Sequence, residues 1–316
     1  MRYLVIALGL TLLAILVGLA SAAVYLTMGL RAAAAAMSNA IKCPLPHCRT
    51  PPSPSLTIPS KPASIWPLDT TASYSYHLAL MNFEALLIGA SQAGKVVVPP
   101  PGINIIEEIA THKYPHLGIV CSRGTSLIVA FRGSQYLDEL FEDLDMAQVA
   151  FSPPPQSIIG QASGSDVPSF RVHRGFLSVY QSVQQTLLSS LQGKQATSVV
   201  FIGHSLGAAL AVLGAVSLRL ASPSIDVCVI TYACPRIGNA AWVDLVDASV
   251  PHVRFENASD EVPVFPPSVV PNRSDYNAPY IYLQSGTAII FQQNWASTLN
   301  NHVIDNYLSW LQSYKV

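Results

Sequence analysis

The stretch that most constrains the fold is Val199 to Val216, VVFIGHSLGAALAVLGAV, where an apolar strand-like run gives way to a helix-like run. One hydroxyl, that of Ser205, lies at the change, between Gly203 and Gly207. This G-x-S-x-G pattern is typical of a nucleophile elbow, a strained turn that exposes a serine at the carboxyl edge of a sheet. The glycines are needed because Cβ atoms there would clash with the neighbouring strand and helix. The alternative is an ordinary glycine-rich turn.

Strand-like and helix-like periods alternate along most of the chain. Apolar runs predict strands at 117–123, 126–133, 198–204, 226–233 and 252–257, with Gly124 in the turn between the first two, and a hairpin at 280–291. Helical periods occur at 74–94, 176–191, 206–220, 240–246 and 302–311. Strands that are apolar throughout are typical of a parallel sheet buried on both faces. The predicted fold class is therefore α/β, with a mostly parallel central sheet and helices on both faces.

Composition excludes a nucleic-acid binder and favours one large domain. Half of the 316 residues are hydrophobic, 11% are charged and the net charge is −1. Such a chain buries a sizeable core and has no basic surface for nucleic acid. The five cysteines lack zinc-ligand spacing. Cys43 and Cys48 are close enough for a local disulfide, whereas Cys121, Cys228 and Cys234 lie in apolar runs typical of buried thiols.

Residues 1–31 predict a membrane segment. No charged residue occurs from Tyr3 to Leu30, and a helix of that length spans about 42 Å, more than the roughly 30 Å hydrocarbon layer of a bilayer. A cleaved signal peptide, with Ala20-Ser21-Ala22 as its cleavage site, is the alternative. We favour an anchor because the apolar run continues for eight residues past that site. The folded domain is then either membrane-anchored and lumenal or extracellular, or secreted.

Residues 32–67 predict a linker. An alanine run is followed by the proline-rich segment from Cys43 to Pro67, whose prolines favour an extended stalk. The folded domain is therefore predicted at 68–316. Two sequons, at Asn257 and Asn272, are compatible with export and glycosylation.

A serine nucleophile needs a histidine to take its proton and a carboxylate to orient that histidine. On a fold with a nucleophile elbow these follow in the order serine, acid, histidine. His302 satisfies this order in the segment TLNNHVIDNY, where it is predicted to open a helix, whereas His252 precedes the best acid. Asp260 directly follows the strand HVRFEN, at the carboxyl edge of the sheet, with Glu261 as its nearest rival. The predicted catalytic residues are Ser205, Asp260 and His302.

The same chemistry needs donors for the negative charge that develops on the substrate carbonyl oxygen. One donor is the backbone N–H of Leu206, the residue after the serine. The other is expected from a loop that leaves an adjacent strand. The segment IVAFRGS ends a strand there, which predicts an oxyanion role for Ser134.

Several motifs together resemble the class 3, or fungal-lipase-like, family of α/β-hydrolases. They are FRGS (131–134), EDLDMA (142–147), VHRGF (172–176), GHSLGAALA (203–211), CPRIGN (234–239), NASDEVPVFPP (257–267) and NNHVIDNY (300–307). Position by position, the resemblance implies an oxyanion role for Ser134, and the nucleophile, acid and base at Ser205, Asp260 and His302. His173, Arg236 and Asn239 match family positions that look structural. Cys234 departs from the family, which usually has a polar residue there.

The resemblance implies an α/β-hydrolase that cleaves carboxylic esters through an acyl-enzyme, with no metal or cofactor. The expected substrates are acylglycerols at a membrane or lipid-droplet surface. Phospholipids and feruloyl or short-chain esters are alternatives, as are acyl transfer and a catalytically silent binding module.

The segment Gln135–Asp145, QYLDELFEDLD, is amphipathic at a helical period. An ordinary surface helix would bury its apolar stripe in the core. The resembling lipases carry a lid at this place, so a mobile lid that opens at lipid surfaces is the alternative interpretation.

Overall fold

The computed structural model describes residues 99, 102–134, 146–154, 169–194, 196–295 and 297–313. The predicted anchor, the linker with Cys43 and Cys48, the helix at 74–94 and Gln135–Asp145 lie outside these residues. Within the described part of the chain, no helix is both long and apolar enough to cross a bilayer.

A seven-stranded sheet forms the centre of the fold. From one edge to the other, its strands are β1 (Asn104–Ile109), β2 (Gly118–Arg123), β3 (Ser126–Phe131), β6 (Ser198–His204), β7 (Asp226–Tyr232), β8 (His252–Asn257) and β11 (Thr287–Phe291). The first two pairings in this order are antiparallel and the rest are parallel. Two short ribbons pair β4 (Gln148–Ala150) with β5 (Arg171–His173), and β9 (Val269–Val270) with β10 (Tyr280–Ile281).

Helices cover both faces of this sheet. They are α1 (Arg174–Gly193), α2 (Leu206–Ala221), α3 (Ala240–Ser249), α4 (Thr298–His302) and α5 (Ile304–Ser313). Successive residues of a strand point to opposite faces. On one face, strand residues such as Val199 and Phe201 pack with α1, α2 and α3. On the other, Val200 and Ile202 belong to the cluster that contains Tyr307 of α5. The prediction of an α/β fold with a mostly parallel sheet is confirmed.

The short segment Val269–Tyr280 belongs to a different compact unit from the sheet and its helices. Inside this segment, Oδ1 of Asn272 accepts a hydrogen bond from the N–H of Ser274, and its Nδ2 donates to the carbonyl of Ala278.

Three features of the sheet and its helices differ from the sequence predictions. The segment 280–291 is not a hairpin, because β10 pairs with β9 and β11 pairs in parallel with β8. Gly286, with φ of 74°, lies between them, and a Cβ there would be 2.5 Å from the carbonyl oxygen of His252. His302 ends α4 and does not open a helix, because Val303 is extended with ψ of 131°. The edge strand β1 was not predicted, since NIIEEI has only one fully buried residue.

Cys121, Cys228 and Cys234 are buried, as predicted. Burial raises the pKa of the Cys121 thiol to about 11 and that of the Cys234 thiol to about 12. Both thiols are therefore protonated, packed side chains and not nucleophiles.

Candidate active site

Ser205 occupies the turn between β6 and α2 in a strained conformation. Its φ and ψ are 57° and −125°, a region that non-glycine residues rarely adopt. A Cβ on Gly203 would lie 2.0 Å from the carbonyl oxygen of Gly207, and a Cβ on Gly207 would lie 2.3 Å from that of Phe131. The two glycines therefore allow β6, α2 and the end of β3 to meet at the serine. The steric reason predicted for these glycines is confirmed.

Asp260 and His302 form a buried hydrogen-bonded pair. Asp260 lies in the loop after β8 and His302 ends α4, and their exposed fractions are 5% and 2%. Nδ1 of His302 donates to Oδ2 of Asp260 over 2.8 Å. The N–H of Val262 donates to the other carboxylate oxygen over 2.9 Å. Because Nδ1 carries the proton, Nε2 of the neutral ring carries the lone pair that a general base needs.

Tyr307 is a further partner of the acid that the sequence reasoning missed. Its hydroxyl donates to Oδ2 of Asp260 over 2.7 Å and accepts from the N–H of Asn257 over 3.1 Å. Burial, followed by the nearby Asp260 carboxylate, raises the pKa of Tyr307 well above its usual value. Tyr307 therefore remains a neutral donor. It lies within the motif NNHVIDNY, but nothing in the periodicity of the sequence distinguished it from a core tyrosine.

Asn257 ties the acid loop to the histidine loop. Its Oδ1 accepts from the N–H groups of Ser259 and Gln293, and its Nδ2 donates to the carbonyl of Asn301 over 3.2 Å. Both polar atoms of the side chain are therefore hydrogen-bonded, and the residue is only 1% exposed. In the folded protein this sequon has no accessible amide for a glycan. Asn257 serves instead as a brace between the loops of Asp260 and His302.

His204, the residue before the serine, connects the elbow to the histidine loop. Its Nε2 donates to the carbonyl oxygen of His302 over 2.9 Å, and the two rings lie 4.5 Å apart between centroids. Burial, and then the neighbouring His302, lowers the pKa of His204 well below its usual value. A neutral His204 therefore ties the backbone of His302 to the residue that precedes Ser205.

Two buried atoms of the predicted triad make no hydrogen bond within the described residues. They are Oγ of Ser205 and Nε2 of His302. A serine and its base are often not in tight contact before substrate binds, and the bond between them shortens in the complex. These are the two atoms between which a general base would move the proton.

The predicted oxyanion residues lie on either side of the elbow. Leu206 begins α2, so its backbone N–H has no acceptor inside the helix. Ser134 follows Gly133, and a Cβ on Gly133 would lie 3.2 Å from Cβ of Ser205. The loop after β3 therefore passes directly beside the nucleophile. The lid interpretation of Gln135–Asp145 lies outside the described residues and stays a prediction.

The other candidate residues have structural partners. His252 contacts the hydroxyls of Thr231 and Ser285 over 2.9 Å and 3.2 Å, as expected of a strand histidine. His173 accepts from the first backbone N–H groups of α1, and Asn239 does the same for α3. Among the described residues, no group of three or more histidine, cysteine or acidic side chains is arranged to hold a metal ion.

The family model for lipase (class 3) matches residues 128–270, which include Ser134, Ser205 and Asp260. The matched region is therefore similar to class 3 lipases. It is 32% identical over 183 residues to a rice (Oryza sativa subsp. indica) protein named phospholipase A1-II 7, covering 48% of this chain and 43% of that protein. It is 31% identical over 177 residues to a lipase of Rhizomucor miehei, covering 52% and 45%.

A solved structure of Rhizomucor miehei triacylglyceride lipase has the same fold, with a TM-score of 0.54 at 23% identity, covering 70% of this chain and 81% of that one. The chain spans less than half of the length of these two curated relatives, 43% and 45%.

Proposed function

We propose that this chain is a class 3 lipase that hydrolyses carboxylic esters, and that its substrates are acylglycerols. The observation that carries the proposal is the buried Asp260–His302 pair, whose histidine is hydrogen-bonded to His204, the residue before a serine on a strained elbow. Each group that a serine hydrolase needs is present. Ser205 is the nucleophile, His302 is a base with its lone pair on Nε2, and Asp260 is the carboxylate hydrogen-bonded to Nδ1 of that histidine.

In this mechanism Nε2 of His302 takes the proton of Ser205 as Oγ attacks the ester carbonyl carbon. The negative charge on the carbonyl oxygen is stabilised by the N–H groups of Ser134 and Leu206. The C–O bond then breaks, and His302 gives its proton to the departing alcohol. Water, deprotonated by the same nitrogen, hydrolyses the acyl-enzyme and regenerates Ser205. Asp260 stabilises the imidazolium in both halves.

Phospholipids are the second candidate substrate class. The relatives include the rice protein named a phospholipase A1 as well as the fungal protein named a lipase. We also propose that residues 3–30 attach the full chain to a membrane, with the hydrolase domain outside the cytosol. The absence of any charge over that stretch supports this.

One fractionation experiment tests the substrate class and the attachment together. Cells that express the full chain or its Ser205→Ala variant are fractionated, and their membranes are extracted at alkaline pH. Pellet and supernatant are assayed with triacylglycerol, phosphatidylcholine and methyl ferulate. We expect triacylglycerol hydrolysis in the pellet, lowered by about 10⁶ in the variant. If the parent chain is no more active than Ser205→Ala, ester hydrolysis by this chain is contradicted. A soluble form of the protein that begins near Ala23 would contradict the membrane anchor.

A further inference from the structure

The side chain of Arg132 is tied to the loop that carries Ser134. Arg132 directly follows β3, and its guanidinium donates to three main-chain carbonyl oxygens. Nη1 reaches Gly133 over 2.8 Å, Nη2 reaches Pro115 over 3.1 Å, and Nε reaches His116. Its backbone N–H also donates to the carbonyl of Leu117 over 3.1 Å. The arginine thus fixes this loop against the segment before β2.

The hydrogen bond to Gly133 controls the direction of the Ser134 N–H. The carbonyl of Gly133 and the N–H of Ser134 belong to one peptide unit, which is planar and trans, so the two groups point in opposite directions. Holding the carbonyl toward the guanidinium therefore turns the N–H away from it. The same unit lies beside the elbow, since a Cβ on Gly133 would be 3.1 Å from Nδ1 of His204 and 3.2 Å from Cβ of Ser205.

The charge of Arg132 adds a second effect. The side chain is half-buried, and burial lowers its pKa, but an arginine keeps its proton in proteins. A hydrogen bond from a charged donor is stronger than one from a neutral donor. It polarises the accepting peptide, which makes the N–H of that peptide a better donor. The N–H of Ser134 is therefore turned away from the guanidinium, and its strength as a hydrogen-bond donor is increased.

We propose that Arg132 is a positioning residue for the oxyanion hole, which holds and polarises the Gly133–Ser134 peptide so that its N–H meets the oxyanion. This role rests on the proposed ester hydrolysis, and Arg132 itself does not contact the substrate. A lysine carries the charge but lacks the planar fork that serves three carbonyls at once.

The test compares the full chain with its Arg132→Gln and Arg132→Lys variants on a water-soluble p-nitrophenyl ester. Loss of one oxyanion donor costs about 10²–10³ in kcat. Because the Ser134 N–H persists, we expect Arg132→Gln to lower kcat by roughly 10- to 100-fold with KM changed less than about threefold. Arg132→Lys should recover part of that loss.

Arg219→Gln is the matched control. Arg219 also donates to main-chain carbonyls, those of Pro223 and Ile225, but it lies near the other end of α2, about 20 Å from Ser205 along the helix. Its loss should lower Tm and leave kcat per active site within about twofold. Active sites in every variant are counted by titration with a fluorophosphonate.

An alkylboronic acid, which forms a tetrahedral anion on the serine, provides the second measurement. Its Ki should rise in Arg132→Gln by the same factor as kcat falls, while the Ki of a neutral aliphatic alcohol with the same alkyl chain stays constant. An unchanged kcat per active site, or equal changes for both inhibitors, would overturn the positioning role. A parent chain that neither hydrolyses the ester nor reacts with the fluorophosphonate would overturn the proposed function, and this role with it.

Discussion

The carboxylate of Asp260 is the most constrained side chain of the site. Its oxygens accept from His302, from Tyr307 and from the N–H of Val262. Three donors stabilise the ionised form and fix its direction, so the imidazole of His302 is held in one tautomer and one orientation. Of these three donors, the hydroxyl of Tyr307 is the one that a substitution can remove while the other two hydrogen bonds to Asp260 stay in place.

Tyr307→Phe should therefore change the pH profile. Without its hydroxyl donor, the negative charge of Asp260 is less compensated and stabilises the imidazolium of His302 more strongly. The acid limb of kcat/KM, which reports protonation of the free enzyme, should therefore move to higher pH. Stability should fall by about 1–3 kcal/mol, because the N–H of Asn257 loses its buried acceptor.

Tyr282→Phe is the control for that prediction. Tyr282 is also fully buried, and its hydroxyl donates to the carbonyl of Met146, not to a triad residue. It should lower Tm and leave the acid limb unchanged. A kcat/KM profile of Tyr307→Phe that overlays the parent would show that the hydroxyl does not tune the base.

At the scale of elements, the site depends on how closely α2 approaches the strand before the oxyanion loop. A Cβ on Gly207 would lie 2.3 Å from the carbonyl oxygen of Phe131 and 2.4 Å from that of Arg132. Both contacts are with backbone, which cannot swing aside as a side chain does. The helix and the oxyanion loop therefore have one permitted spacing.

Gly207→Ala should force α2 away from the end of β3 and disturb the oxyanion loop. We expect stability to fall by about 1–3 kcal/mol, as in overpacked cores, and kcat per active site to fall at least about tenfold. Gly214→Ala on the same helix is the matched control, since its Cβ would meet the ring of Phe201, 2.7 Å away. It should lose comparable stability and keep kcat within about twofold. Equal kcat losses in both variants would mean that spacing at Gly207 has no special role.

The elements also divide into those the sequence could predict and those it could not. The strand at 198–204 and the helix from Leu206 have strong, long apolar patterns, and the structure contains both. The break after His302 depends on one extended residue, and β11 is assigned to the main sheet only by its pairing with β8. Local periodicity does not encode either feature.

Across the whole molecule, the site joins residues that are far apart in sequence. His204 and His302 are 98 residues apart, and Asp260 and Tyr307 are 47 apart. On a fold with a nucleophile elbow the catalytic residues occur along the chain in the order serine, acid, histidine, so Asp260 and His302 could be chosen from the sequence. Arg132, His204, Asn257 and Tyr307 could not, because their roles arise from backbone and side-chain contacts that exist only after folding.

The assignment of Ser205 as the nucleophile is tested most directly by locating the covalent adduct of a fluorophosphonate on the full chain by peptide mass spectrometry. The strained elbow and the Asp260–His302 pair predict one adduct, on Ser205, that is lost in Ser205→Ala and forms far more slowly in His302→Ala. An adduct on another serine, or equal labelling of the parent and Ser205→Ala, would contradict the assignment of Ser205 as the nucleophile.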